Sequence, residues 1–321
     1  MNFLQKIIPI NLLEEKEKFF SDNSYNPQFL YAENIQKERL YKYGKPKQLY
    51  LDLAQQILDK AYFNKNEQDL LKLEGNKLFN SQILSSIEKY LLDYQLQHKI
   101  AIVKSKSFIA RTAVDDDKIL LRLPLQFREK DLQGMMNHEI ATHILRKINY
   151  QKQPWYKDRD NYNFADYSKT EEGLAVFHTL IATNCKLAHK ISIYYLAIYY
   201  SQIFDFATVW KKLCKYVKNK ENLWLLCMRG KRGMQDTSSP GGYTKDIMYL
   251  EGMVDMFIYL LKNNFDISKL YFGKIALEDI DKAVQLSPSF KPILPIFFTS
   301  NKQKYAFDIE QIAKENNLHE L

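Results

Sequence analysis

Two of the six histidines lie close together, with a glutamate directly after the first, in the segment NHEIATH at residues 137–143. Neutral imidazole is a common zinc ligand, and a glutamate beside such ligands can take a proton from water in metal-assisted hydrolysis. We therefore take His138 and His143 as candidate metal ligands and Glu139 as the candidate general base. The alternative is a surface helix with two solvated histidines, in which Glu139 and His143 form an i,i+4 pair.

The spacing of the two histidines constrains the helix that carries them. In the H-E-x-x-H pattern the ligands are four residues apart and about 40° apart around a helix. Here they are five residues apart, or about 140° around a regular helix, which would splay the two rings. A π-bulge inserts one residue into a turn, is frequent at functional sites and would bring the rings back toward one face. The sequence therefore predicts a π distortion between His138 and His143.

A third protein ligand is expected, because catalytic zinc usually keeps three protein ligands and one open position. The segment TEEGLA at residues 170–175 begins the next predicted helix and offers Glu171 and Glu172. The stretch from Ser168 to Glu171 also fits a capping box, and acidic residues in a first turn interact favourably with the helix dipole. The residue pattern alone leaves open which glutamate is a ligand and whether either acts only as a cap.

The composition favours a mainly helical globular protein to position these residues. The 321 residues are 46% hydrophobic and 26% charged, with only ten glycines and nine prolines, which is little turn chemistry for a sandwich or barrel. Alternating apolar residues at 98–127 predict a small sheet of two or three strands around the turn at 115–117, and an amphipathic helix follows at 129–149. We predict an α+β, mainly α-helical fold, with an N-terminal helical region at residues 1–97 packed on a catalytic core at residues 98–321.

The remaining features argue for a cytoplasmic protein without a membrane span. A further helical stretch is expected at 171–216 in two pieces, and its apolar part at 191–210 contains enough polar residues to favour a buried helix over a membrane span. The N-terminal segment does not fit a secretory signal. The three cysteines form no CxxC or CxxH pattern and are expected to be small buried hydrophobic side chains. His178 and His189 are at unmatched spacing and are expected to be core or surface residues.

An ordered set of motifs carries a family resemblance: HEIATH, then QPW, then TEEGLA about thirty residues on, then TKDIMYLEG. In this order the motifs resemble the DUF1704 family, which includes bacterial QEGLA-motif proteins and the vertebrate microtubule-associated tyrosine carboxypeptidases. The resemblance implies a zincin-like domain with a small sheet beside the HExxxH helix. It also implies one zinc ion, with His138, His143 and Glu172 as ligands and Glu139 as the catalytic base.

The activity implied by the resemblance is that of a zinc metallopeptidase, in particular a carboxypeptidase that releases a C-terminal residue, with tyrosine as one candidate. The partner would be a protein or peptide C-terminus, and an acidic tail such as that of tubulin would be attracted by the net charge of +8. No nucleic-acid partner is expected, and the oligomeric state stays open. The alternatives are a peptidase or amidase of other specificity, or a non-catalytic metal-binding regulatory protein on the same fold.

Several basic and hydroxyl side chains could bind the carboxylate of a substrate or a developing oxyanion. Candidates near the glycine-rich segment at 229–246 are Arg229, Lys245 and Tyr249, and Arg111 is a fourth. The alternative for this segment is a flexible loop that ends in a helix cap. Glu171 and Arg146 are candidates for residues that contact the metal ligands without binding the metal themselves.

Overall fold

A computed structural model describes residues 3–61, 67–106, 108 and 110–321. Six α-helices precede the sheet in this part of the chain: α1 (Phe3–Lys6), α2 (Leu12–Ser21), α3 (Lys37–Leu40), α4 (Gln48–Lys60), α5 (Glu67–Glu74) and α6 (Asn80–Asp93). The strands are β1 (Ala101–Ser105), β2 (Thr112–Asp115) and β3 (Lys118–Arg122). Then α7 (Glu129–Met136), a π-helical segment (Asn137–Ile144) and α8 (Leu145–Tyr150) follow one another without a break.

The rest of the chain is helical. Its α-helices are α9 (Ser168–Ile181), α10 (His189–Ser201), α11 (Phe206–Leu213), α12 (Lys220–Lys231), α13 (Ile247–Lys262), α14 (Ile280–Leu286), α15 (Ile296–Thr299) and α16 (Lys302–Glu315). Short 3₁₀ segments are Arg159–Tyr162, Ser268–Tyr271, Leu277–Asp279 and Leu318–Glu320. The predicted α+β, mainly helical class is confirmed.

The chain forms two compact units. Unit 1 comprises Met1–Asn64 and Ala188–Glu251, and unit 2 comprises Lys65–Leu187 and Gly252–Leu321. The predicted boundary at residue 97 falls inside unit 2, and a domain division there stays a prediction.

The core of unit 1 contains a cluster of aromatic rings around Phe19. Its ring centroid lies 4.9 Å from those of Phe206 and Trp210 and 5.5 Å from that of Trp224. All four side chains are buried, and tilted or edge-on aromatic pairs add to the stabilisation that burial provides. The cluster therefore joins α2, α11 and α12.

The apolar stretch at 191–210 is buried for most of its length, but it forms two helices. Between α10 and α11, the side chain of Asp205 accepts a hydrogen bond from the backbone N–H of Thr208 (2.6 Å) and so caps α11. The predicted two-piece stretch at 171–216 was wrong, because the chain breaks twice and forms α9, α10 and α11. None of the helices in the described ranges is long and apolar enough to cross a membrane.

The cysteines differ in their exposure. Cys227 on α12 is buried, as predicted, whereas Cys185 is partly exposed and Cys214 is exposed. The prediction of a buried side chain was wrong for these two. Cys185 lies in the connection between α9 and α10, and Cys214 directly follows the last residue of α11, so neither occupies the apolar stripe of a helix.

The small sheet belongs to unit 2 and lies beside the π-helical segment. Its strand order is β1-β3-β2, with β1 parallel and β2 antiparallel to β3. On one face, Ile119 and Leu121 are fully buried. Thr112 pairs with Leu121 in register, and directly opposite residues present their side chains to the same face. The π-helical segment contacts both β2 and α9.

Candidate metal centre

The helix that carries the two histidines is distorted where the sequence predicts it. The backbone N–H of Leu145 donates to Ile140 O, five residues earlier, and the Thr142 hydroxyl donates to Asn137 O at 2.9 Å. The imidazole rings of His138 and His143 consequently lie on one side, with centroids 4.8 Å apart and planes at 73°. The predicted π distortion is confirmed, and the alternative of two solvated histidines is wrong.

Glu172, directly after the first turn of α9, completes the group. Its Oε2 lies 3.6 Å from His138 Nε2 and 3.7 Å from His143 Nε2. The ligand atoms of these three side chains all lie within 4.8 Å of one another. The sequence left open whether Glu171 or Glu172 belongs to this group, and the structure places Glu172 in it.

The donor set fits a metal ion. Two ligand atoms that are each about 2.1 Å from a tetrahedral zinc ion lie roughly 3.4 Å apart, close to the spacing of the glutamate oxygen and the two imidazole nitrogens. The histidine side chains are only 21% and 13% exposed, and that of Glu172 is 14% exposed. The three side chains therefore form a partly buried group that could hold a metal ion.

The other nitrogen of each imidazole contacts a different polar group. His138 Nδ1 lies 3.1 Å from the hydroxyl of Thr179 on α9, and His143 Nδ1 lies 3.5 Å from Glu171 Oε1. Contacts at Nδ1 orient a ring so that Nε2 faces a metal, and an acceptor such as a carboxylate also strengthens the ligand. Glu171 thus contacts the ring of His143 at the nitrogen that faces away from Glu172. Helix α9 supplies a polar contact to the Nδ1 atom of each histidine, through Thr179 and Glu171.

Positive charges surround Glu171. Lys274 Nζ lies 3.0 Å and Arg146 3.6 Å from its Oε1. Burial alone would raise the pKa of Glu171, but Lys274, His143 and Arg146 outweigh it and hold the pKa well below its usual value. For His143, burial opposes protonation, but the carboxylates of Glu171, Glu172 and Glu139 raise its pKa. The predicted capping box is absent, because α9 has no side-chain cap and Glu171 binds these cations instead.

Besides its contact with Glu171, Arg146 forms hydrogen bonds to a distant backbone segment. Its side chain is fully buried and donates hydrogen bonds to Leu270 O (3.0 Å) and Ile275 O (2.8 Å). It therefore links α8, which follows the histidines, to the segment that carries Lys274.

Glu139 lies between the two histidines in the sequence and is 7% exposed. Its Oε1 accepts a hydrogen bond of 2.9 Å from the hydroxyl of Thr112 at the start of β2. The predicted general base is thus held against the sheet, on the same π-helical segment as the two histidines of the candidate metal group.

The predicted substrate-binding residues are distributed over both units. In unit 2, Arg111 forms a bidentate ion pair with Asp131 (2.6 and 2.7 Å) and lies over the ring of Phe127. In unit 1, Arg229 pairs with Asp246 and stacks on Tyr194. Lys245 and Tyr249 are half-buried residues of unit 1. Their roles toward a substrate stay predictions.

Sequence reasoning missed three residues near the centre: Thr112, Thr179 and Lys274. Thr112 is a single threonine in a strand, and no pattern of neighbouring residues marks it. Lys274 lies about a hundred residues beyond Glu171, and its role depends on a tertiary contact. The one available signal was Thr179, seven residues after Glu172 and therefore on the same helix face.

Two glycines lie at a close helix contact beside Glu172. A Cβ added to Gly173 would overlap the backbone carbonyl of Gly252 on α13, and one added to Gly252 would overlap Lys169 O. Helices α9 and α13 therefore cross with their backbones in contact, directly beside Glu172. This contact explains why glycine occurs in both the TEEGLA and the TKDIMYLEG motifs.

Replacing Gly173 with alanine is expected to lower the free energy of unfolding by about 2–3 kcal/mol, because the overlap is with backbone that cannot turn aside. It should also weaken metal binding by displacing Glu172. Gly134→Ala is the matched comparison, since its Cβ would lie 3.1 Å from Thr179 O, a milder contact. Denaturant unfolding and metal titration of both variants test this. Equal stability of Gly173→Ala and the wild type would contradict the close crossing.

A buried histidine beneath the centre predicts a pH dependence of stability. His178 lies between the Thr142 hydroxyl (2.7 Å) and the Tyr305 hydroxyl (3.1 Å). Burial, together with nearby positive groups, lowers the pKa of His178 to about 3. An unfolded histidine titrates near pH 6.5, so below that pH the unfolded chain binds a proton that the folded chain does not. Stability must then decrease as the pH falls from about 6.5 toward 3.

We expect the wild type to lose about 2 kcal/mol more than His178→Gln between pH 7 and pH 4.5, because the variant lacks this titration. Denaturant unfolding at the two pH values measures the difference. His319→Gln, which changes a more exposed histidine, should keep the wild-type dependence. Identical pH dependence in wild type and His178→Gln would show that His178 is not held neutral.

The fold and the site define a mainly helical α+β protein with a two-histidine, one-glutamate group centred on a π-distorted helix. A family model described as microtubule-associated tyrosine carboxypeptidase matches residues 30–289. The chain belongs to this family.

Named relatives agree with this assignment. The "Putative tyrosine carboxypeptidase MATCAP2" of Mus musculus is 30% identical over 98% of this chain and 62% of the relative. The "Microtubule-associated tyrosine carboxypeptidase 1" of Mus musculus and that of Homo sapiens are each 29% identical over 97% of this chain and 68% of the relative. The chain thus spans less than two thirds of the first of these proteins and slightly more of the other two.

Proposed function

We propose that this protein is a zinc-dependent carboxypeptidase that removes the C-terminal residue of a protein or peptide. The observation that carries the proposal is the convergence of Glu172 Oε2 with the two Nε2 atoms of His138 and His143. Two imidazoles and one carboxylate are a known ligand set of catalytic zinc. Family membership and the names of the relatives support peptidase chemistry at this group.

In this proposal His138, His143 and Glu172 hold the metal, and Glu139 transfers protons. A zinc ion bound there would lower the pKa of water and polarise the substrate carbonyl. Glu139 takes the proton of the attacking water and delivers it to the leaving amine as the peptide bond breaks. Glu171 and Thr179 keep the imidazole rings oriented through Nδ1.

The proposed substrate is an acidic C-terminal tail that ends in tyrosine. The relatives are named tyrosine carboxypeptidases, and the net charge of +8 would attract an acidic chain. Tubulin is a candidate of this kind, and a cytoplasmic location would suit it. A carboxypeptidase also needs a cation or a hydroxyl donor for the terminal carboxylate. The proposed candidates are the cations of Arg229, Lys245 and Arg111 and the hydroxyl of Tyr249.

The experiment is incubation of the zinc-loaded protein with matched acidic peptides that end in tyrosine, in alanine or in tyrosine amide. Mass spectrometry should show loss of one residue from the free-acid tyrosine peptide and no loss from the amide. Cleavage of the amide or of internal bonds would indicate a peptidase of other specificity. Absence of cleavage in all peptides would favour a metal-binding regulatory protein.

A further inference from the structure

Thr112 connects the sheet to the proposed general base. It is the first residue of β2 and lies opposite the fully buried Leu121. Its side chain therefore shares the face of the sheet that Leu121 buries. From there its hydroxyl donates a 2.9 Å hydrogen bond to Glu139 Oε1.

The chemistry of this contact suits a proton-transfer residue. A hydrogen bond to a charged acceptor is stronger than one between neutral groups, and it restrains rotation of the carboxylate. Since the hydroxyl binds Oε1, Oε2 would be the oxygen that takes the proton in the proposed mechanism. Because threonine is β-branched, its χ1 angle is restricted, so the strand itself sets the direction of the hydroxyl.

We propose that Thr112 is a positioning residue for catalysis, which holds Glu139 in the orientation needed for proton transfer. The inference rests on the proposed function. It differs from the roles of Glu171 and Thr179, which contact the histidines, because the Thr112 hydroxyl donates its hydrogen bond to the proposed base. Loss of its hydroxyl should therefore change turnover more than metal binding.

Kinetics of Thr112→Val, which preserves shape but removes the hydroxyl, test the inference. We expect kcat to fall about 10- to 100-fold, as is typical for residues that orient a catalytic group from outside. KM and zinc affinity should each stay within about twofold, because neither substrate binding nor the metal ligands change. Thr112→Ser should recover most of the activity, to within about fivefold of wild type, since the hydroxyl returns with a less restricted χ1.

Thr183→Val is the matched control. The Thr183 hydroxyl donates to the backbone carbonyls of Leu180 and Cys185, away from the proposed base, so this variant should keep wild-type kcat. Thr112→Ala is a second variant that removes the hydroxyl, and its side chain is smaller than that of valine.

Four outcomes would overturn the inference. They are an unchanged kcat in Thr112→Val, no recovery in Thr112→Ser, a parallel loss of zinc affinity, or loss of the fold in both Thr112→Val and Thr112→Ala. The last would assign Thr112 a purely structural role. A wild-type protein that binds zinc but cleaves no peptide would instead refute the proposed function, and this inference with it.

Discussion

Replacing Glu139 with glutamine is expected to reduce peptide hydrolysis by a factor on the order of 10³, in the middle of the range for general acid–base catalysis. Glutamine has nearly the same shape, and its side-chain oxygen can still accept the hydrogen bond from Thr112. It cannot take a proton from water or deliver one to an amine. The fold and zinc binding should therefore be preserved while turnover is lost. Peptide mass spectrometry and zinc titration of the same preparation measure the two properties.

Glu88→Gln makes the same chemical change at an exposed position on α6 and should retain wild-type activity. If Glu139→Gln cleaved peptides at the wild-type rate, Glu139 would not be the general base. If it lost both zinc and activity, the role of Glu139 would lie in building the metal centre.

Replacing His143 with alanine is expected to lower zinc affinity at least 100-fold and to bring hydrolysis to background. The ring supplies one of the three converging ligand atoms, through Nε2 at 3.7 Å from Glu172 Oε2, and catalytic zinc sites depend on three protein ligands. The variant also removes the Nδ1 contact to Glu171, whose carboxylate still binds Lys274 and Arg146. Isothermal titration with zinc, together with the peptide assay, measures both effects.

His319→Ala is the matched control, because His319 lies near the C-terminus and pairs with Glu310. It should bind zinc and cleave peptides as the wild type does. Retention of tight zinc binding in His143→Ala would mean that the metal, if one binds, is held by other residues.

The local features of the site could be predicted from the sequence. The five-residue spacing of His138 and His143 is incompatible with a regular helix if both bind one ion, so a π distortion followed from helix geometry. The alternation of apolar residues at 98–127 likewise indicated the sheet, because side chains of a strand alternate between its faces. Both signals depend on residues that are neighbours along the chain.

What could not be predicted depends on contacts between distant segments. Glu172 rather than Glu171 lies with the two histidines, and this depends on how α9 packs against segments that are distant in the sequence. The local sequence also allows Glu171 to be a helix cap, because its tertiary partner Lys274 is distant in the chain. For the same reason the sequence gives no indication of the pairing of Thr112 with Glu139.

We propose that one zinc ion held by His138, His143 and Glu172 enables hydrolysis at a C-terminus. The most direct test is a titration of metal-free protein with zinc while release of tyrosine from an acidic peptide is followed. We expect no release without metal, and activity that rises to a plateau at one equivalent of zinc. Release that persists without metal, or no release at any zinc concentration, would contradict this proposal.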